Sequence, residues 1–440
     1  MPFFSFSNSK KNVPSPRWFA GISITSNCRR IESAMIGVHG QGSGAPVEIR
    51  KTISFDLPRE IIDSYNELWE TVFPNSSGDR YSQPVLSDLK VPSSLFYHVL
   101  RELASVEEEA IEELIDESKI ARNEVLAVGI HDPGFHCMTP YGTFYMSLCD
   151  APFLAEQTGM NIVDSFSMQD IASGGRGGPV FPLPTWIFLK SEIQDRILLD
   201  LGRTATLTFL PQADSPFAHQ RIGHLDVVPC GSLLDALTWE LTGGKTSVDV
   251  GGRLTVQGCQ VPELLSDLRL ASSQPEVWNP FGLSPEPYLK AASRSTGKGH
   301  SYQDVLCTAS CFIAETVVEN VLTMIAERSR DGSSEPEILL SGACRMHGML
   351  MNLISSQLKK RPLNPITQFN IPAETFDALC TAMLTLMAVD HIPASLPHLT
   401  GSETTKPLGR ITPGSITNWT RLLQEMAATK PVGRSLRNAM

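Results

Sequence analysis

The densest chemical signal in the chain is Asp170-Ile-Ala-Ser-Gly-Gly-Arg-Gly-Gly-Pro179, where Gly174, Gly175, Gly177 and Gly178 fall within five positions. Glycines at that density let backbone approach a ligand and adopt positive φ. A carboxylate four residues upstream is placed to act as a general base beside such a loop. The plainer alternative is a surface turn, with Asp170 solvated or bonded to its own loop as an Asx turn. Two other turns have the small and hydroxylated residues that cradle phosphate, Gly21-Ile-Ser23-Ile-Thr25-Ser26 and Leu201-Gly202-Arg203-Thr-Ala-Thr206. Asp226 and Asp235 lie nine apart, where both could meet a metal-bound nucleotide. Asp235 equally suits a helix N-terminus through the macrodipole. Ser341-Gly342-Ala-Cys-Arg345 reads as a nucleotide-contacting turn or a strand-to-helix hinge. His39 stands in a Gly-rich turn and reads as solvated, and His131 and His136 lack an identifiable third metal ligand. No G-x-x-x-x-G-K-[ST], G-x-S-x-G or H-E-x-x-H occurs, so those mechanisms have no support.

The elements that must hold these residues repeat. Apolar runs at Trp18–Ile24, Ser33–Val38 and Val47–Phe55, separated by short turns, predict an antiparallel meander. A helical region follows from Leu57 to Ile120, its last part opening on Ser105 and Glu108 as an S-x-x-E capping box. Val125–Ile130 is continuously apolar, as a strand buried on both faces should be. The second half has strands at Arg196–Leu201, Ala205–Leu210 and Ile222–Val228, then helices at Leu233–Leu241 and Asp304–Ala326. Glu337–Leu340 is its buried strand, followed by helices at Met349–Leu358 and Ala373–Ala388. Three strands, helix, strand, helix thus occurs twice, which predicts two α/β lobes with a ligand cleft between them. The expected divisions are a disordered tail over 1–16, lobes over 17–190 and 191–400, a segment over 401–425 returning to the cleft, and a frayed tail over 426–440.

Of 440 residues, 42% are hydrophobic and 19% charged, which excludes a disordered chain and allows a large core. A net charge of −11 argues against broad nucleic-acid binding but not against an anionic small ligand. The 9 cysteines include no C-x-x-C and read as reduced, buried thiols of a cytoplasmic protein. MPFFSFSNSKKNVPSP has no signal-peptide apolar run, and no stretch approaches 18 uninterrupted apolar residues, so no membrane segment is expected.

Together these landmarks resemble the anhydro-N-acetylmuramic acid kinase family, from Gly21 to Gly414. The family's D-F-R-x-x-D-x-A-x-G-G-x-G-A-P reads here Ser165-Phe-Ser-Met-Gln-Asp170-Ile-Ala172-Ser-Gly174-Gly175-Arg-Gly177-Gly-Pro179. F-D-T-G-P-G-N-x-L-x-D is echoed by Leu225-Asp226-Val-Val-Pro229-Cys-Gly-Ser-Leu233-Leu-Asp235, and T-G-x…L-G-x-I-x-P-G by Thr400-Gly401 and Leu408-Gly409-Arg-Ile411-Thr-Pro413-Gly414. The resemblance implies a duplicated actin-like (RNase H-like) α/β sugar kinase fold and a homodimer. It implies ATP and Mg²⁺, and an anhydro amino sugar whose 1,6-anhydro ring is opened by water and phosphorylated at O6 in peptidoglycan recycling. Asp170 falls on the catalytic base, with Gly174, Gly175 and Gly177 as the substrate-side loop. Gly21, Ser23, Thr25, Gly202 and Gly342 would bind ATP and its phosphates, and Asp226 the metal. The chain departs from the pattern in several places. Thr25 replaces the acid of G-T-S-M-D-G, and Asp200-Leu-Gly202-Arg203-Thr-Ala205-Thr206 replaces N-x-G-G-x-A-N. Val228 and Cys230 replace two glycines, Gly342-Ala343-Cys344-Arg-Met-His347 replaces G-G-G-x-x-N, and Asn279–Glu286 loses the Lys and Arg of P-P-K-S-T-G-R-E. A second expectation follows from these losses, a catalytically silent protein that keeps the fold for binding or regulation.

Overall fold

The computed structural model describes residues 15–72, 91–139, 142–272, 283–328, 334–359 and 361–428. The expected N-terminal tail, but for its last two residues, and residues 429–440 of the C-terminal one lie outside this range.

The first sheet begins with the meander β1 (Arg17–Ile24), β2 (Arg30–Val38) and β3 (Val47–Asp56). The helices α1 (Arg59–Val72) and α2 (Ser93–Ser118) follow, and β4 (Val125–His131) then pairs in parallel with β1. A hairpin of β5 (Phe135–Thr139) and β6 (Gly142–Met146) leads to α3 (Ala151–Thr158), β7 (Ile162–Asp164), α4 (Phe166–Ile171) and α5 (Pro182–Leu189). The second sheet opens with β8 (Arg196–Leu201), β9 (Thr204–Leu210), α6 (Ala218–Arg221) and β10 (Gly223–Pro229). Helices α7 (Gly231–Leu241), α8 (Pro262–Ser272), α9 (Glu286–Gly297) and α10 (Tyr302–Arg328) precede β11 (Glu337–Ser341). The chain ends through α11 (Gly348–Leu358), β12 (Leu363–Pro365), α12 (Phe376–Val389), α13 (Pro397–Thr400), β13 (Arg410–Thr412) and α14 (Ile416–Ala428).

The strand orders are β3-β2-β1-β4-β7-β13 and β10-β9-β8-β11-β12. Apart from the added edge strand β13, the two sheets have one topology, an antiparallel meander whose first strand also pairs in parallel with the strand after the helices. This is the duplicated α/β arrangement of the actin-like fold.

Three cores hold it. One lies under α1–α3 on the outer face of the first sheet, and one under α7–α10 on the outer face of the second. The third lies between the sheets and joins Phe19 and Ile36 to Leu198 and Leu339 through α5 and α12. Helices enclosed on all sides read as apolar all round. That is why α10, long and apolar enough to cross a membrane by composition, is largely buried in the second lobe.

The capping box at Ser105 needs correction. Helix α2 starts at Ser93, because Val99 and Leu103 already begin the buried stripe that Val106, Ala110 and Leu114 continue. Ser105 is interior, and its hydroxyl donates back to the Arg101 carbonyl at 3.0 Å.

Two strand glycines let α12 settle on the first sheet. A Cβ at Gly21 would lie 2.2 Å from the Ala378 carbonyl oxygen and 2.3 Å from the Ala382 nitrogen. One at Gly129 would lie 1.9 Å from Thr385 Oγ1. The α12 backbone at Ala378 and Ala382 leaves nowhere for a methyl group. Gly21→Ala is expected to cost at least the ~1–3 kcal/mol of an overpacked core, measured by urea unfolding, and parent-like stability would contradict this packing.

Candidate functional site in the inter-lobe cleft

The ends of β1, β8 and β11 open on a cleft of about 1210 Å³, lined from both lobes. The loop after α4 forms one wall, with Gly177, Gly178 and Pro179 lining it. Asp170 closes α4 and is 0% exposed, which removes the reading as a solvated surface turn. Its Oδ2 accepts the Gly177 N–H at 2.9 Å. Burial raises its carboxyl above the ordinary aspartate range, against the pull of the Thr400 hydroxyl, the Gly177 N–H and the Arg176 charge. The glycines are there for contact as well as conformation. A Cβ on Gly175 would sit 2.1 Å from the Asp170 carboxylate, and one on Gly177 2.7 Å from His136 Nε2. Gly174 and Gly177 have φ of +85° and +86°. The loop is also tied to the C-terminal segment, since Arg176 N–H donates to the Thr400 carbonyl and Glu403 N–H to that of Ser173.

The two hairpin turns face each other across the cleft. In the first, Gly21 belongs to the strand under α12 and not to the cleft lining. Ser23 is buried, with its hydroxyl 3.3 Å from His131 Nδ1. Thr25 does reach the cleft, but its Oγ1 is occupied within its own turn, bonding Asn27 Oδ1 at 2.8 Å and the Arg30 N–H at 3.2 Å. In the second, the Gly202 carbonyl accepts the Gly231 N–H at 3.0 Å, which joins the turn to the start of α7. Asp200, one strand over from Ser341, is held by the Ser341 hydroxyl and the Gly202 N–H. Gly342 turns at φ +88° directly against the Leu201 backbone, where no Cβ fits. Asp226 lines the cleft with Oδ1 3.5 Å from His224 Nε2.

Several cleft groups were not singled out in the sequence. Glu32, opposite Ser23 in the β1–β2 register, is 8% exposed, and its Oε2 is buried without a hydrogen-bond partner. Burial and the facing Asp377 push its carboxyl up, and Asp377, at the start of α12 and exposed to the cleft, is itself raised by partial desolvation there and by Asp200. An acid inside the otherwise apolar strand Ile31–Val38 was the available signal for Glu32. Asp377 gave none, because its cleft position depends on how α12 crosses the sheet. Asp235, which the sequence did single out with Asp226, lines the cleft too, raised to about 6 by burial against the charges of Arg29 and Arg203. His347 caps α11 by accepting the Leu350 N–H at Nδ1, 3.2 Å away, and its Nε2 faces Asp249 and Thr255. That cluster anchors the 249–255 loop at the cleft rim.

Among the described residues, no three His, Cys, Asp or Glu close a metal cage by themselves. Mg²⁺ does not need one, since it takes one or two carboxylates and completes its shell with water and phosphate. The orphaned Glu32 oxygen among like charges fits such a cation.

His136 is buried in the wall and His131 half-buried beside it. Burial lowers His131 to about 4 and His136 to about 3, the latter with a small further push from His131. The folded chain therefore keeps both imidazoles neutral where unfolded ones take up protons. Their stabilisation is complete above the ordinary histidine pKa of ~6.5 and is lost as pH falls below it. Raised carboxyls such as Glu32 act in the opposite sense, so the clean measurement is a difference. Between pH 7 and pH 5, His136→Gln should lose about 2 kcal/mol less unfolding free energy than the parent. Identical pH dependence in urea unfolding would refute the assignment.

The anhydro-N-acetylmuramic acid kinase family matches residues 94–414. The curated kinase of that name from Bordetella pertussis is 30% identical over 323 residues, covering 71% of this chain and 79% of the relative. The one from Nitrosomonas europaea is 26% identical over 321 residues, covering 69% and 80%. Among solved structures, the activator of the 2-hydroxyisocaproyl-CoA dehydratase from Clostridium difficile with bound ADPNP aligns with 84% of this chain and 94% of its own, at 11% identity and TM-score 0.35. The family match begins after β3, so the Gly21–Ser26 turn is located by the fold alone. Nothing in these comparisons speaks for a catalytically silent protein. With the match covering the Asp170 loop, the whole second sheet and the later strands of the first, the chain belongs to the anhydro-N-acetylmuramic acid kinase family.

Proposed function

We propose that this ATP-dependent sugar kinase uses Asp170 as the general base that opens 1,6-anhydro-N-acetylmuramic acid. The observation that carries this reading is the Asp170 carboxylate, buried one layer behind the cleft-lining Gly177, bonded to its N–H and raised by that burial. A carboxylate brought toward neutral pH takes a proton from water more effectively, and a positioned base contributes typically 10²–10⁴-fold. The water oxygen bonds C1 as the C1–O6 bridge breaks, and its proton passes to Asp170. O6 takes the γ-phosphoryl group of ATP, and ADP leaves. Gly177 and Gly178 line the cleft without side chains and let the sugar approach there beside Arg176, and closure of the lobes excludes other water.

Gly202 and Gly342 present backbone to the nucleotide, and Thr25 and Ser26 of the β1–β2 turn line the cleft from the other lobe. Asp226 and Glu32 are the carboxylates that would hold Mg²⁺, which when bound neutralises developing phosphate charge. A cytoplasmic homodimer is the assembly that fits the family. Light scattering of the full chain at micromolar concentration should give twice the chain mass, and a monomer would exclude it.

Asp170→Asn separates a base from a structural cap. The Asn carbonyl still accepts the Gly177 N–H, so the melting temperature should stay within a few degrees of the parent. It cannot take the water proton, so sugar phosphorylation should fall by roughly a hundredfold or more. Parent-like turnover in a folded variant would rule Asp170 out as the base.

A further inference from the structure

Each of the two facing hairpin turns carries an arginine into the cleft. Arg29 ends the β1–β2 turn, and Arg203 follows Gly202 in the β8–β9 turn. Both stand on fixed backbone. The Arg29 N–H donates to Thr25 Oγ1 at 3.3 Å, and its carbonyl accepts the Leu57 N–H at 2.8 Å. The Arg203 carbonyl accepts the Cys230 N–H at 2.8 Å and the Ser232 hydroxyl at 2.9 Å. Of the other arginines lining the cleft, Arg30 pairs with Asp56, Arg345 with Glu374, and Arg176 donates to the Leu399 carbonyl.

Asp235, on α7, connects the pair. Its carboxyl is largely buried in the cleft wall, and the two charges that favour its ionised form are Arg29 of one lobe and Arg203 of the other. One anionic group thus lies within the field of both guanidiniums. The rest of the lining mixes the acids Glu32, Asp200, Asp226 and Asp377 with Arg30, Arg176 and Arg345. A polyphosphate entering it needs positive charge, and the guanidinium fork matches phosphate oxygens in pairs.

We propose that Arg29 and Arg203 are the phosphate-binding residues of this chain, gripping the nucleotide polyphosphate from opposite lobes, with Asp235 the counter-ion that the phosphate displaces. This rests on the kinase reading. Arg203 takes over at a position where the family pattern has a phosphate-approaching glycine. A clamp with one jaw on each lobe also couples phosphate binding to closure, and it favours di- and triphosphates over a monophosphate too short to reach both.

Titration calorimetry of the full chain with ATP, AMP and inorganic pyrophosphate, with and without Mg²⁺, tests this on the parent, Arg203→Gly and Arg29→Ala. Each substitution should weaken ATP and pyrophosphate binding at least tenfold and leave AMP within twofold. Arg203→Lys, which keeps the charge but not the fork, should fall between parent and Arg203→Gly. Melting curves of all variants report folding separately, and the two arginines test the clamp independently. ATP and pyrophosphate affinities within twofold of the parent in folded Arg203→Gly or Arg29→Ala overturn the proposal, and so does a parent that binds neither ligand. A parent that phosphorylates sugar while its arginine variants bind ATP normally refutes the clamp and leaves the kinase reading intact. Arginine-dependent pyrophosphate binding without sugar phosphorylation does the reverse.

Discussion

The site depends on how closely α12 lies on the first sheet. Gly21 and Gly129 leave a floor with no side chains, and Ala378, Ala382 and Thr385 settle onto it. A helix stood off by one methyl group would carry Asp377 away from Glu32 and break the core that joins the two sheets. Position 21, which by type belongs to a phosphate turn, is therefore glycine because a helix backbone crosses it. Its contribution to the cleft is indirect, since it sets where α12 begins.

Around that helix the cleft concentrates opposed charges. Glu32 is buried, Asp200 half-buried and Asp377 exposed to the cleft, and the carboxyls of all three are raised. Burial of like charges is costly unless a cation or shared protons relieve it. Such strain belongs at functional sites more than in structural cores. The second turn turns the same principle around. A cation placed among acids is held by them until a stronger anion arrives, the part the proposed clamp gives to the half-buried Asp235 beside the arginines.

The Asp170 loop works by enclosure. Its carboxylate organises the glycines, which have no Cβ to keep them away from it, and the neutral His136 closes the far side. The loop is sewn to the segment around Thr400, more than two hundred residues later, so the site closes only when the end of the chain has returned.

The sequence by itself determined the repeated order of strands and helices. Period-two runs and continuous apolar stretches are local patterns set by which faces are buried, and the three-strand meanders, β4, β11 and α10 emerged within a few residues of their expected bounds. It also determined the Asp170–Pro179 loop, because glycine density and a nearby acid are adjacent in the chain. Short elements such as β7, β12 and β13 carried too few residues for a period to register and form only because a longer strand offers an edge. Which acids meet across the cleft was decided by tertiary structure alone. Glu32, Asp200 and Asp377 lie far apart in sequence, and their proximity comes from strand register and the seating of α12. The same holds for Arg29, Arg203 and Asp235, brought into one electrostatic field by two turns on different sheets. Local pattern encodes what each segment buries, while charge coupling falls off with distance in space and has no sequence period to betray it.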